Sequence, residues 1–168
     1  MASVSSRMVA TAIVITLSAC AKDVAAPTAV APAFQPMTFF TGRTHGDGEL
    51  AKLFGKPVKV TVDSVGRKQG DTLVLDQTIH EGRSPPSTRR WTMRSVGPNR
   101  FTGSLTDAKG QVNVAGSRAD IRYKTKAGFE VEQQLVLQSD GRTILNRLSA
   151  HKYGVQVATL SETIRKVS

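Results

Sequence analysis

Phe129-Glu130-Val131-Glu132-Gln133-Gln134-Leu135-Val136-Leu137 places Phe129, Val131, Gln133, Leu135 and Leu137 at every second position, and Ser139-Asp140-Gly141 closes the run with turn formers. Successive side chains of extended backbone point to opposite sides, so a period of two marks a strand with one buried face. The same pattern continues outward in both directions. Towards the C-terminus come Ile144 to Ala150 and Val155 to Ile164, joined near Tyr153-Gly154. Towards the N-terminus come Ile121 with Tyr123, then Val112, Val114 and Gly116, then Phe101, Gly103 and Leu105 leading to Asp107-Ala108-Lys109-Gly110. Before them stand Trp91 with Met93 and a turn at Gly97-Pro98-Asn99, and Leu73, Leu75, Gln77 and Ile79 ending at Glu81-Gly82 and Pro85-Pro86. The first run is Val58, Val60 and Val62, ahead of a turn at Gly66-Arg67-Lys68-Gln69-Gly70.

These runs predict about eight or nine strands in hairpin order, with no segment long enough for the crossovers of a parallel sheet. Each strand is apolar on one face only. An all-β, antiparallel up-and-down β-barrel buries that face and leaves no exposed edge.

The N-terminus carries a different signal. Arg7 precedes the apolar run Met8 to Thr16, and Leu17-Ser18-Ala19-Cys20 follows. This is the layout of an export signal, and the apolar run is too short to stay in a bilayer as a spanning helix. Leu17, Ser18, Ala19 and Cys20 resemble the bacterial lipobox, which implies cleavage before Cys20 and lipid attached to its thiol. Cys20 is the only cysteine, so a structural disulfide is excluded and the lipobox accounts for it. Several acyl chains on Cys20 would anchor the protein stably, where one would bind reversibly. Ala21 stands where an aspartate would signal inner-membrane retention, so the expected place is the outer membrane, facing the periplasm.

Residues 20–37 hold Pro27, Pro32 and Pro36 among alanines with no amphipathic period. They read as a lipidated N-terminus and flexible, semi-extended linker reaching on the order of 50 Å at about 3.1 Å per residue. The expected organisation is thus signal peptide 1–19, linker 20–37 and barrel 38–168.

The formal charge is +10, and the leader contributes only Arg7 to it. In an envelope such an excess favours anionic headgroups or polymers as partners. Aromatic residues are 5% of the chain, too sparse for the stacking platforms of a nucleic-acid binder. Arg89, Arg90, Arg94, Arg100, Arg118, Arg122, Lys124 and Lys126 fall in neighbouring runs and could share one basic face, although a solvated face is the plainer reading.

Phe39-Phe40-Thr41-Gly42, Glu81-Gly82 followed by Arg90-Trp91, and Phe101-Thr102-Gly103 with Asp107-Ala108-Lys109-Gly110 run collinear with Arg122-Tyr123, Leu145-Asn146-Arg147 and Lys152-Tyr153-Gly154-Val155. In that order, behind a lipobox, they resemble the bacterial lipoproteins of domain of unknown function thirty-eight thirty-three, from Phe39 to Lys166. The resemblance implies a lipocalin-like barrel in the envelope and no established activity. The chain departs from the family pattern at His80-Glu81, where paired aspartates stand, and at Leu135-Val136-Leu137, where an Asp-Trp-Met run stands.

No constellation for catalysis emerges. His45, His80 and His151 lack the spacing of a zinc site and read as surface or turn residues, so no metal is expected. There is no Gly-x-Ser-x-Gly elbow, and Gly46-Asp47-Gly48 lacks the strand, helix and further glycines of a phosphate loop. Asp76 and Glu81 read as solvated strand carboxylates.

The leading expectation is a non-enzymatic lipoprotein, held to the membrane by its anchor and binding an apolar or lipid-like ligand without a cofactor. Trp91, Met93, Phe101, Phe129, Gln133 and Asn146 are the expected ligand-facing residues, with Leu73, Leu75, Gln77, Leu105, Val131, Leu135 and Leu137 on the same inward faces. That list equally describes a packed core. Gly103 and Gly116 leave space that larger residues would fill, which favours a cavity. The alternatives are an interaction module docking on anionic envelope polymers or a partner protein through its basic face, and a lipid-modifying enzyme, which would need a polar triad inside the barrel.

Overall fold

In the computed structural model ten extended segments close on one another. The structure describes residues 31–105 and 108–167. After a single helical turn, α1 (Pro36–Phe39), the strands are β1 (Gly42–Lys52), β2 (Val58–Gln69), β3 (Thr72–Glu81), β4 (Ser87–Gly97), β5 (Arg100–Leu105), β6 (Ala108–Ala115), β7 (Arg118–Thr125), β8 (Glu130–Leu137), β9 (Thr143–Lys152) and β10 (Val155–Val167). Each strand pairs antiparallel with its neighbours in sequence, and β1 pairs with β10 to complete a closed up-and-down barrel. The expected signal peptide 1–19, with Leu17, Ser18 and Ala19, and the expected lipidation site Cys20 lie outside the described residues.

The count of eight or nine strands is therefore low by β1. Its inward positions are Thr44, Gly46 and Gly48, which show no apolar period, although Thr44 and Gly46 are buried. The β2–β3 turn also moves. β2 continues through Gly66-Arg67-Lys68-Gln69, with Gln69 opposite Thr72, and only Gly70-Asp71 form the turn. Tyr153 (φ 51°) and Gly154 (φ 78°) both adopt the left-handed conformation, as a two-residue hairpin loop demands.

The inner faces alternate as the sequence indicates, with Leu73, Val112, Ala119, Leu135 and Ile144 almost wholly buried. The outer faces carry ion pairs such as Arg67 and Arg90 with Asp76, and Lys124 with Glu130. A barrel that crosses lipid needs the reverse, an apolar band facing outward.

One barrel end is sealed by the chain that enters it. Phe34, Met37, Phe39 and Phe40 are buried and join the core cluster; the Phe34 and Phe39 rings meet edge to face at 5.9 Å. The Phe34 amide donates to the Gly116 carbonyl at 2.8 Å. Lys166 Nζ donates to the carbonyls of Thr38, Phe39 and Thr41 at 3.0 to 3.1 Å, satisfying the acceptors that the short helix leaves open. The expected linker of residues 20–37 is corrected at its C-terminal end: Phe34, Pro36 and Met37 are buried parts of the barrel, because three phenylalanines and a methionine cover the apolar side chains at its closed end.

Candidate functional site

Midway along the barrel the inner face turns polar. Ser64, Gln77 and Arg89 stand opposite one another on β2, β3 and β4. Arg89 Nε donates to Gln77 Oε1 at 2.7 Å, and Gln77 Nε2 donates to Ser64 Oγ at 3.0 Å. Across the barrel, Gln133 Nε2 donates to Asn146 Oδ1 at 3.0 Å and Asn146 Nδ2 donates to Glu162 Oε2 at 2.7 Å, linking β8, β9 and β10. The carboxyl of Glu162 lies over Gly46, where any Cβ would overlap it. Thr44 Oγ1 is sealed in the packing without a hydrogen-bond partner.

Gln77, Arg89, Gln133, Asn146 and Glu162, with Trp91 and Met93, line a cavity of about 50 Å³. That is room for roughly three or four waters. Burial drives the Arg89 guanidinium below its ordinary range, opposed by attraction to Tyr123 and Glu162. Burial pushes the Glu162 carboxyl up, opposed by the Asn146 hydrogen bond and by Arg89. Among the described residues no carboxylate lies within ion-pair distance of Arg89.

The barrel end opposite α1 is different again. Leu50, Ile79, Leu105, Leu148 and Leu160 occupy inward positions there yet are only half-buried, since no described residue plugs this mouth as Phe34 plugs the other end. On its rim Phe54 is 86% exposed and Tyr153 94%, with Leu53 beside the one in its loop and Val155 beside the other at the start of β10. Exposed Lys56, Arg83 and Lys126 occupy the same set of loops, and Lys152 Nζ sits 4.7 Å from the centre of the Phe129 ring.

The structure brings Trp91, Met93, Gln133 and Asn146 to one cavity, and separates two others from it. Phe101 packs in the core with Val112 opposite, and Phe129 belongs to the β7–β8 loop, because β8 begins at Glu130. Sequence reasoning missed Arg89 and Glu162 as members of the site. Their signal was present: Arg89 shares the parity of Trp91 and Met93, and Glu162 that of Ile164. Gly103 and Gly116 do not open a cavity. The Trp91 ring already lies 3.1 Å from where a Gly103 Cβ would stand, and Gly116 is a turn residue with open space around it.

The expected basic face is likewise broken up. Arg89 points inward, while Arg90 pairs with Asp76, Arg94 with Asp71, Arg118 with Asp120, Arg122 with Glu132 and Lys124 with Glu130. His45 is on the outer surface, its Nδ1 2.7 Å from Asp63 Oδ1 and its Nε2 3.3 Å from Asp47 Oδ2, and the Asp63 hydrogen bond raises its pKa.

The sequence profile described as Protein of unknown function (DUF3833) matches residues 14–166. The chain belongs to this family. No curated protein matches the DUF3833 chain. Its barrel is similar to Rv2717c from M. tuberculosis, at 13% identity and a TM-score of 0.61, covering 83% of this chain and 100% of that one. It is similar also to the S-type phycobiliprotein lyase CPES from Guillardia theta, at 6% identity and a TM-score of 0.60, over 79% and 91% of the two chains. A protein of the DUF3598 family from Nostoc punctiforme shares 12% identity at a TM-score of 0.61, over 81% of this chain and 50% of that one. At these identities the likeness is one of fold, and the DUF3833 barrel is lipocalin-like.

Proposed function

We propose that this protein is a non-enzymatic envelope lipoprotein whose barrel takes up an amphipathic, lipid-like ligand end-on through the open mouth. The observation that carries this reading is the half-buried aliphatic wall of Leu50, Ile79, Leu105, Leu148 and Leu160 above a hydrogen-bonded polar floor, in a barrel whose other end is plugged. Apolar wall supplies affinity and a few placed polar groups supply orientation. Pockets for whole small molecules usually measure at least about 300 Å³. The 50 Å³ floor cavity therefore holds only the ligand's polar end, and its bulk lies in the mouth. The lipobox at Leu17, Ser18, Ala19 and Cys20 supports a lipid tether, and Ala21, where an aspartate would signal inner-membrane retention, supports the outer membrane.

The rim favours a second reading, docking of the mouth on an anionic envelope surface, since exposed Leu53, Phe54 and Tyr153 alternate there with Lys56, Arg83 and Lys126. Uptake separates the two. The full chain carrying Cys20→Ser, so that anchor lipid cannot compete, is titrated with a fluorescent fatty acid. Saturable uptake is expected, and Ala150→Trp on the inner wall of the mouth should abolish it with the circular dichroism spectrum unchanged. A folded wild-type barrel that takes up no fatty acid would leave the docking reading in its place.

A further inference from the structure

Charge at mid-barrel comes from Arg89 and Glu162, and the two are differently served. Glu162 is held by Asn146 over the space left by Gly46. The guanidinium of Arg89 has five N–H donors, and Gln77 accepts from Nε alone. The remaining donors are not sealed into the packing: among the described residues the only sealed side-chain polar atom without a partner is Thr44 Oγ1. They belong to a side chain that lines the floor cavity, directly below the aliphatic wall. A half-buried guanidinium without a contacting anion is partly desolvated at a cost, and an anion entering from outside would offset that cost with two parallel charge-assisted hydrogen bonds.

We infer that Arg89 is an anion subsite and that the barrel's ligand is a long-chain carboxylate bound head-down, its carboxylate on the Arg89 guanidinium and its chain along Leu148, Leu160 and Ile79 towards the mouth. Size selects the head group. A cavity for roughly three or four waters accepts a carboxylate in their place and is too small for a phosphodiester headgroup with its substituents. Geometry points the same way, because a planar guanidinium matches a planar carboxylate edge to edge. This inference rests on the uptake reading above and adds to it the chemistry and direction of the ligand.

Trp91, the chain's single tryptophan, lines the same cavity and reports which end of the ligand reaches it. The Cys20→Ser full chain is titrated by calorimetry with decanoate, decanol and decyl phosphate. Trp91 emission is then followed with decanoates brominated either beside the carboxylate or at the methyl end. Decanoate is expected to bind at least about tenfold tighter than decanol or decyl phosphate, a difference of about 1.4 kcal/mol. Bromine beside the carboxylate should quench Trp91 far more than bromine at the methyl end. Arg89→Gln should bring decanoate down to the level of decanol and leave decanol unchanged, Arg89→Lys should retain part of the preference, and Arg94→Gln on the outer face should change nothing. Equal affinity for decanoate and decanol, or the reverse order of quenching, overturns the anion subsite while leaving uptake intact. Binding of none of the three ligands overturns uptake itself. The wild-type comparisons decide the matter even where a substitution at position 89 prevents folding.

Discussion

At Gly46 the absence of a side chain is what admits the Glu162 carboxyl, and the same device recurs where Gly103 and Gly110 face each other on β5 and β6. The Trp91 ring lies over the first, the Arg122 carbonyl and the Tyr123 Cβ crowd the second, and the Trp91 and Tyr123 rings meet edge to face at 5.4 Å. Small residues on the inner wall thus mark places that large or charged neighbours occupy, which explains why Gly103 does not signal a cavity. Glu162 has a consequence for stability. Its pKa is raised in the folded protein, so as pH climbs from the ordinary carboxylate range to that raised value the unfolded chain ionises while the folded one keeps its proton. Stability attributable to this group falls across that window and stays lower above it. Glu162→Gln removes the titration. Denaturant unfolding at a series of pH values should show the variant gaining on the wild type as pH rises through the window; a difference independent of pH would contradict the assignment.

Among the elements, α1 and β1 were the hardest to read and matter most to the site. β1 was invisible to periodicity because its inner face is Thr44, Gly46 and Gly48, yet it closes the barrel against β10 and supplies the space for Glu162. The segment before α1 read as linker because its prolines and alanines show no period, and burial of Phe34 to 1% exposure comes only from its docking under β6 and β7 at Gly116. Phe34→Ala should cost about 3–5 kcal/mol, as for other fully buried phenylalanines. Phe54→Ala at the exposed opposite rim should stay within about 0.5 kcal/mol. Denaturant melts of the two variants compare the ends directly. Equal, small effects would mean that the N-terminal plug contributes nothing to holding the barrel closed.

For the molecule as a whole, the described chain enters at the plugged end, through Phe34 to Phe40, and the opposite end is the open mouth. Fatty-acid labelling in cells should mark the wild type and miss Cys20→Ser, and undiminished label on the variant would remove the anchor from this picture. Composition and alternation alone established an antiparallel, all-β chain with one buried face per strand, and Gln133, Asn146, Trp91 and Met93 were legible on that face because a period of two assigns sides without reference to any other strand. The same parity held Arg89 and Glu162, but charged residues read by default as solvated. Only closure of the sheet decided otherwise. It brought together β2, β3 and β4 with β8, β9 and β10, assembling a polar belt whose members are neighbours solely in three dimensions. How much of the interior stays open was likewise settled by tertiary packing, since it depends on Trp91 leaning over Gly103 and on Phe34 entering from outside the sheet. Side-chain direction is a local property of the strand, whereas the volume left inside a barrel is set by every wall at once.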